Sequence, residues 1–306
     1  MKILISYDGS SRANAALKDL RRAGLPADAE AVVMSIPRSY LSAGEAERNG
    51  RSGAPAGVVE EIEEAAAMAK QAIDAIRESF PAWEARAELA VGSTARVIEK
   101  KTGQWNPDLI VLGLQGEAAS KHFDGVLRRI AVRSKCSVRV APRFNGETDE
   151  PPRVLLCVDG SPYTEAAVSA VASRDWPKGT EARILTVVNP FDYSIPEFVD
   201  KAMERTVPLH RLIANELDRT PAFTSSVVGE GEPEKVILRM IEEWRPDCVF
   251  LAPHNRNRLS RAIFRGVSGT VVARANCAVE LARSAPPGQP HGSFMRMGVA
   301  SPAFNR

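Results

Sequence analysis

The sequence lacks any apolar run that approaches the ~20 residues needed to cross a membrane as a helix. Its first residues, MKILISYD, form an apolar segment that is too short for a signal peptide. Charge of either sign is not in excess, since the formal net charge of the 306 residues is +2. This balance gives no electrostatic reason to expect binding to nucleic acid or to an acidic membrane. We therefore expect a cytoplasmic protein with neither kind of partner.

Cysteine is also scarce, and the chain has no recognisable catalytic set. Four cysteines occur, each in or beside a strand-like apolar run, and none forms a close pair of the metal-binding kind. They are Cys136, Cys157, Cys248 and Cys277. Buried, reduced thiols are the expected state. Because there is also no Ser-His-Asp set and no conventional P-loop, we assign no catalytic residue, and a non-enzymatic function is favoured.

What the chain does have is an internal repeat. The segment ILISYDGS at residues 3–10 returns as VLLCVDGS at residues 154–161. DLIVLG at 108–113 returns as DCVFLA at 247–252. CSVRV at 136–140 returns as CAVEL at 277–281. Three landmarks in the same order indicate a duplicated domain.

Each copy alternates short apolar runs with segments of helical spacing, which predicts a parallel sheet covered by helices on both faces. In the first copy we predict strands near residues 2–7, 30–36, 85–91, 108–113 and 137–141, and helices near 10–22, 58–80, 95–103 and 123–134. In the second copy we predict strands near 153–158, 182–188, 223–228, 247–252 and 278–282, and helices near 163–173, 196–217, 233–243 and 261–274. The predicted domains are 1–142 and 153–283, joined by a linker at 143–152 and followed by a disordered tail at 284–306. The polar segment 37–57 is interpreted as a mobile loop.

Both copies resemble the universal stress protein family. The resemblance rests on the first strand that ends in Asp-Gly-Ser, on the fourth strand DLIVLG, and on the segments GSTARVI at 92–98 and GEPEKVI at 231–237. It implies a Rossmann-like α/β fold with two tandem copies of a five-stranded parallel sheet. It also implies that the copies pair within the chain as a pseudo-dimer, through the last strands 137–141 and 278–282.

Many members of that family bind ATP, so the resemblance also implies a set of site residues. In such a site, glycines after the fourth strand let backbone N–H groups approach phosphates. The first strand and the end of the second would hold the nucleoside. The residues carried over to the first copy are Tyr7, Asp8, Ile36, Gly113, Leu114, Gly116, Gly125 and Val126, and those carried over to the second copy are Asp159, Val187, Gly266 and Val267.

Both copies depart from the family's Gly-x2-Gly-x9-Gly-Ser/Thr pattern. In the first copy the hydroxyl that closes the pattern is missing, because either Gly125 or Val126 stands at its place. In the second copy we interpret Pro253 as the replacement of the first glycine and Arg256 as that of the second. Proline removes an N–H group and fixes φ. We therefore expect the first copy to have the better-preserved nucleotide site.

Two alternatives to a nucleotide-binding regulatory protein remain open. Asp8 and Asp159 can equally be structural, since an Asp-Gly-Ser turn can end a strand and cap the next helix. A scaffold that binds a protein partner and no nucleotide fits the eroded loops. A slow ATP-hydrolysing or adenylate-transferring enzyme would require a group such as Asp124 to hold Mg²⁺ beside the phosphates.

Overall fold

The computed structural model describes residues 1–36, 58–113, 120–141, 149–190, 196–218, 220, 222–253 and 266–283. The predicted loop 37–57, the tail 284–306 and most of the predicted linker lie outside these residues. The chain divides into two compact units, Met1–Asn145 and Gly146–Arg306. Each unit is an α/β domain.

The first unit contains one parallel sheet. Its strands are β1 (Lys2–Ser6), β2 (Glu30–Ser35), β3 (Glu84–Leu89), β4 (Leu109–Gly113) and β5 (Ser137–Ala141). Its helices are α1 (Ser11–Asp19), α2 (Val58–Ser79), α3 (Thr94–Trp105) and α4 (Ser120–Arg133). The strands lie in the order β3-β2-β1-β4-β5, and every pair is parallel.

The second unit repeats this arrangement. Its strands are β6 (Arg153–Cys157), β7 (Glu181–Val188), β8 (Phe223–Glu230), β9 (Cys248–Leu251) and β10 (Ala278–Leu281). Its helices are α5 (Thr164–Ala172), α6 (Pro196–Leu217), α7 (Pro233–Trp244) and α8 (Val267–Arg274). The order is β10-β9-β6-β7-β8, again parallel. The prediction that the two copies pair through their last strands stays a prediction.

The central strands form because their apolar runs are covered on both sides. Ile3, Leu4 and Ile5 of β1 are fully buried, as are Ile110 and Val111 of β4. A strand covered on both faces reads as a continuous apolar run, which is the pattern from which the parallel sheet was predicted. The outer strand β3 lacks this pattern, and its residues are exposed or only partly buried.

Helix boundaries differ from expectation at two places that matter for the site. α1 ends at Asp19, and Leu20–Arg22 continues it as a single 3-10 turn. α4 begins at Ser120, three residues before the predicted start. The second difference shortens the loop that follows β4.

Strand register fixes which residues of the two units are equivalent. Leu4 lies between Val32 and Ile110, and Leu155 lies between Arg183 and Val249. Counting three residues along β2 and β7 makes Ser35 equivalent to Thr186. The same count along β4 and β9 makes Gly113 equivalent to Ala252. The assignment of Pro253 to the place of the first glycine was therefore wrong by one residue.

A buried ion pair joins the last strand of each unit to the first helix. In the first unit, Arg139 on β5 donates to both carboxylate oxygens of Asp19, at 2.6 and 3.1 Å. In the second unit, Arg174, which follows α5, donates to Glu280 on β10 at 2.5 Å. All four side chains are at most 4% exposed, and the signs of the charges are exchanged between the units.

Candidate functional site

The candidate site lies where β1 and β4 end. In the first unit the chain leads from β1 to β2 on one side, and β4 is the neighbour of β1 on the other side. In an open parallel sheet, ligands bind beyond the carboxyl ends of the strands at such a reversal of winding. Asp8, Ile36 and Gly113 therefore stand at the ends of three adjacent strands. The second unit places Asp159, Val187 and Ala252 at the corresponding strand ends.

Asp8 forms a tight turn between β1 and α1. Its Oδ1 accepts a hydrogen bond from the backbone N–H of Ser10 at 3.0 Å. Ser10 caps α1, because its hydroxyl oxygen accepts from the N–H of Ala13 at 3.1 Å. Gly9 has φ +71°, a conformation in which a side chain is strained. The carboxylate of Asp8 thus has a structural task at the edge of the crevice.

The second unit repeats the turn, and there a threonine hydroxyl also donates to the carboxylate. Oδ1 of Asp159 accepts from the N–H of Ser161 at 3.0 Å and from the hydroxyl of Thr164 at 3.0 Å. Thr164 is equivalent to Ala13, which has no hydroxyl. A hydroxyl donor at this position of the turn is therefore specific to the second unit.

Tyr7 is held in the core beneath this turn. The residue is 3% exposed, and its phenol donates a hydrogen bond to Oδ1 of Asn14 at 2.7 Å. Burial, together with the charge of Asp8, raises the pKa of the Tyr7 phenol. The phenol is therefore neutral at physiological pH and acts as a donor inside the unit.

Gly113 is required by the packing of the first unit itself. A Cβ at this position would lie 2.7 Å from the carbonyl oxygen of Arg12 and 2.9 Å from the backbone nitrogen of Ala13. The end of β4 thus approaches the backbone at the start of α1 too closely for any other residue. A phosphate is not needed to explain this glycine.

The closing part of the predicted phosphate loop is helical. Gly125 and Val126 lie inside α4, five and six residues after its first residue. A Cβ at Gly125 would meet no atom within 4 Å, so neither packing nor a positive φ requires glycine there. Both residues also lie inside the helix predicted at 123–134, and the earlier start of α4 moves them further from the loop that follows β4. Their contact with phosphate stays a prediction. Leu114 and Gly116 lie outside the described residues.

The second unit has a helix start at the corresponding place. Gly266 is the N-cap of α8 and Val267 its first residue. Arg256, which we interpret as the replacement of the second glycine, lies outside the described residues.

The ends of β2 and β7 carry hydroxyl groups that the sequence reading missed. Ile36 and Val187, the predicted nucleoside contacts, are partly buried. The residue before each is Ser35 or Thr186, and these side chains are 1% and 7% exposed. The available signal was the repeat itself, since both copies place a hydroxyl at the same position.

Within the described residues, a hydrogen-bond partner is found for one of these two hydroxyls. Oγ1 of Thr186 lies 2.8 Å from Nε2 of His210 on α6. Oγ of Ser35 has no hydrogen-bond partner within the described part of the chain. His210 is 5% exposed, and burial lowers the pKa of its imidazole.

Arg129 forms an ion pair that links two helices of the first unit. Its guanidinium donates to both carboxylate oxygens of Glu99, at 2.6 and 2.8 Å, and so ties α4 to α3.

Among the described residues, no group of three or more His, Cys, Asp or Glu side chains is arranged to hold a metal ion. The helices that the structure describes include none with the length and apolarity needed to cross a membrane.

Comparison with known proteins agrees with this architecture. A search of curated proteins found no match. A universal stress protein from Archaeoglobus fulgidus is 17% identical, with a TM-score of 0.64 over 92% of this chain and 96% of that one. A putative universal stress protein from Pseudomonas aeruginosa is 12% identical, with a TM-score of 0.58 over 92% of both chains.

The family model for the universal stress protein family matches twice, at residues 1–142 and 151–283. The two matches cover both repeats and most of the described strands and helices. Each repeat has the parallel five-stranded arrangement predicted from the sequence. The chain therefore belongs to the universal stress protein family, as a tandem member with two copies of the domain.

Proposed function

We propose that this protein is a stress-response regulator whose first unit binds an adenine nucleotide such as ATP. The observation that supports the proposal best is the placement of Asp8, Ile36 and Gly113 at the ends of three adjacent strands beside the reversal of winding. Universal stress proteins have been described in complex with cAMP and with AMP bound. In the proposed complex the base lies near Tyr7, Asp8 and Ile36, and the phosphates extend past Gly113.

The second unit would bind nucleotide more weakly or not at all. Asp159 already accepts two hydrogen bonds at one oxygen from its own chain. Ala252 stands where the first unit has Gly113, so the second unit lacks the first glycine of the family's phosphate pattern. The candidate contacts there are Asp159, Val187, Gly266 and Val267. Mg²⁺ would enter either site only with the phosphates, since no metal-binding group of side chains is found among the described residues.

Equilibrium binding of labelled ATP to the full-length chain tests the proposal. We expect saturable binding at one site per chain. Asp8→Ala should weaken it by roughly tenfold or more, because a hydrogen bond to a charged group contributes about 1.5–3 kcal/mol. Asp159→Ala makes the same change at the equivalent turn of the second unit and is the matched control. Equal losses in both variants, or no saturable binding by the wild type, would contradict the proposal.

A scaffold that binds no nucleotide is the second candidate. Two observations favour it: Gly113 is explained by the approach of α1, and Gly125 lies in a helix. This candidate requires a melting temperature that does not change in excess ATP. ATP that binds only the native state would raise the melting temperature. At a hundredfold excess over Kd it would add about 2.7 kcal/mol to the free energy of unfolding.

A further inference from the structure

The hydroxyl of Ser35 is a buried polar group for which the packing of the described residues gives no partner. Its oxygen is buried in a residue that is 1% exposed, and it has no hydrogen-bond partner among the residues that the structure describes. Leaving a buried polar group unpaired costs about 1–3 kcal/mol. An apolar residue would avoid this cost if the hydroxyl had no use.

Ser35 lies at the rim of the candidate site, on the face covered by α1 and α2. Successive strand residues alternate between faces, and Ala31 and Val33 pack in the core cluster with Ala13 of α1 and Ala69 of α2. Ser35 is the last residue of β2 and continues this face. Its carbonyl accepts from the N–H of Ala90, so its backbone is fixed.

The second unit shows what partner this position accepts. A Cβ at Gly9 would meet Met68 of α2, and a Cβ at Gly160 would meet Leu209 of α6. Met68 and Leu209 therefore stand at equivalent places, and so do the residues that follow them, Ala69 and His210. The imidazole that bonds to Thr186 in the second unit is thus replaced by a methyl group in the first.

Both units keep a hydroxyl at the end of the second strand, and within the described ranges the second unit alone supplies a partner for it. The partner there is a nitrogen of a planar five-membered ring. A purine also contains a five-membered ring, and that ring has a nitrogen that can accept a hydrogen bond from a hydroxyl. The methyl group of Ala69, which is fully buried, cannot make such a bond.

We propose that the hydroxyl of Ser35 binds the nucleoside part of the ligand in the first unit, and that His210 fills the corresponding place in the second. This inference rests on the proposed function. It makes Ser35 and Ala69 specificity-determining positions, and it gives a reason why the two units differ in binding: the second is occupied by its own side chain.

Titration of the full-length protein with AMP and with ATP tests this inference. Ser35→Ala should weaken the binding of both nucleotides by the same factor, roughly three- to tenfold, because one neutral hydrogen bond contributes about 0.5–1.5 kcal/mol. Ser35→Thr keeps the hydroxyl, as in the second unit, and should bind like the wild type. Ala69→His should bind more weakly than Ser35→Ala, because the imidazole would compete for the same hydroxyl and space.

Stability measurements separate this role from a structural one. Ser35→Ala should leave the melting temperature of the ligand-free protein unchanged or raise it, since the hydroxyl has no partner to lose. Thr186→Val is the matched control: it should lower the melting temperature, because it leaves His210 without its bond, and it should not affect affinity.

The outcomes distinguish the two proposals. No binding of either nucleotide by the wild type would overturn the proposed function and this inference together. Wild-type binding with an unchanged affinity in Ser35→Ala would overturn this inference alone, and would mean that water fills the place. A loss confined to ATP would also overturn it, because the contact would then be to phosphate.

Discussion

At the scale of single residues, each unit contains an ion pair that is buried in its core. Arg139 and Asp19 are fully enclosed in the first unit, and Arg174 and Glu280 in the second. Removing one partner of such a pair leaves an uncompensated charge in the core, whereas replacing both with apolar residues is often neutral or stabilising. The pairs therefore constrain which substitutions the core accepts more than they stabilise it.

This argument predicts a non-additive double-mutant cycle. Arg139→Met alone should lower the free energy of unfolding by about 3–5 kcal/mol, because Asp19 stays charged and buried. Asp19→Leu combined with Arg139→Met should recover most of that loss. Urea denaturation of the two single variants and the double variant measures the coupling. Losses that simply add would show that the two side chains do not depend on each other.

The contacts between individual side chains were the features that the sequence predicted least well. Trp105 and Trp244 end equivalent helices, and each has a guanidinium over its ring, at 5.3 Å from Arg86 and at 4.2 Å from Arg183. Arg86 lies on β3, but Arg183 lies on β7, the equivalent of β2. The same contact is thus made from different strands, and no single-sequence pattern identifies such an exchange.

At the scale of elements, the glycines after β4 have different tasks. Gly113 leaves room for the start of α1, whereas Gly125 sits in an open position within α4. Glycine in a helix interior is less favourable than alanine by about 0.8–1.0 kcal/mol. The structure thus gives opposite expectations for the same substitution at two positions twelve residues apart in the sequence.

We predict that Gly113→Ala destabilises the protein, by about 1–3 kcal/mol, because the added carbon forces the end of β4 away from Arg12. Gly125→Ala serves as the control and should stabilise by up to about 1 kcal/mol. Thermal unfolding of both variants checks the pair. A neutral Gly113→Ala would mean that α1 can move away from β4 without loss of stability.

The sequence predicted strands and helices well because their apolar patterns are strong and occur twice. All ten predicted strands are present, and α6 spans the expected residues 196–217. The start of α4 was missed because Ser120, Lys121 and His122 carry no apolar period. At the candidate site, strand-end positions followed from the repeat, but the difference between Ser35 and Thr186 depends on contacts with a distant helix.

At the scale of the whole molecule, the two units should respond differently to acid. Burial lowers the pKa of His210 below its ordinary value of 6.5. The unfolded chain therefore takes up a proton at a higher pH than the folded chain does. The stability contributed by neutral His210 is present above pH 6.5 and is lost as the pH falls from there toward the lower folded pKa.

His210→Gln should reduce this pH dependence, because an amide can bond to Thr186 but does not titrate. We expect the wild type to lose more stability than the variant between pH 7.5 and pH 5.5, as measured by urea denaturation of the full chain. At the equivalent place the first unit has Ala69, which does not titrate. An identical loss in both proteins would exclude His210 as the source.

The reversed polarity of the enclosed ion pairs also affects how the gene can evolve. Tandem duplicates are often made uniform again by gene conversion, in which one repeat overwrites part of the other. If the coding tract for β10 overwrote that for β5, a glutamate would face Asp19, and the reverse event would set two arginines together beside β10. Either product would bury two like charges side by side, which is unfavourable. A gene-conversion event across these strands would therefore give a less stable protein, and selection against it would help to keep the two halves different in sequence.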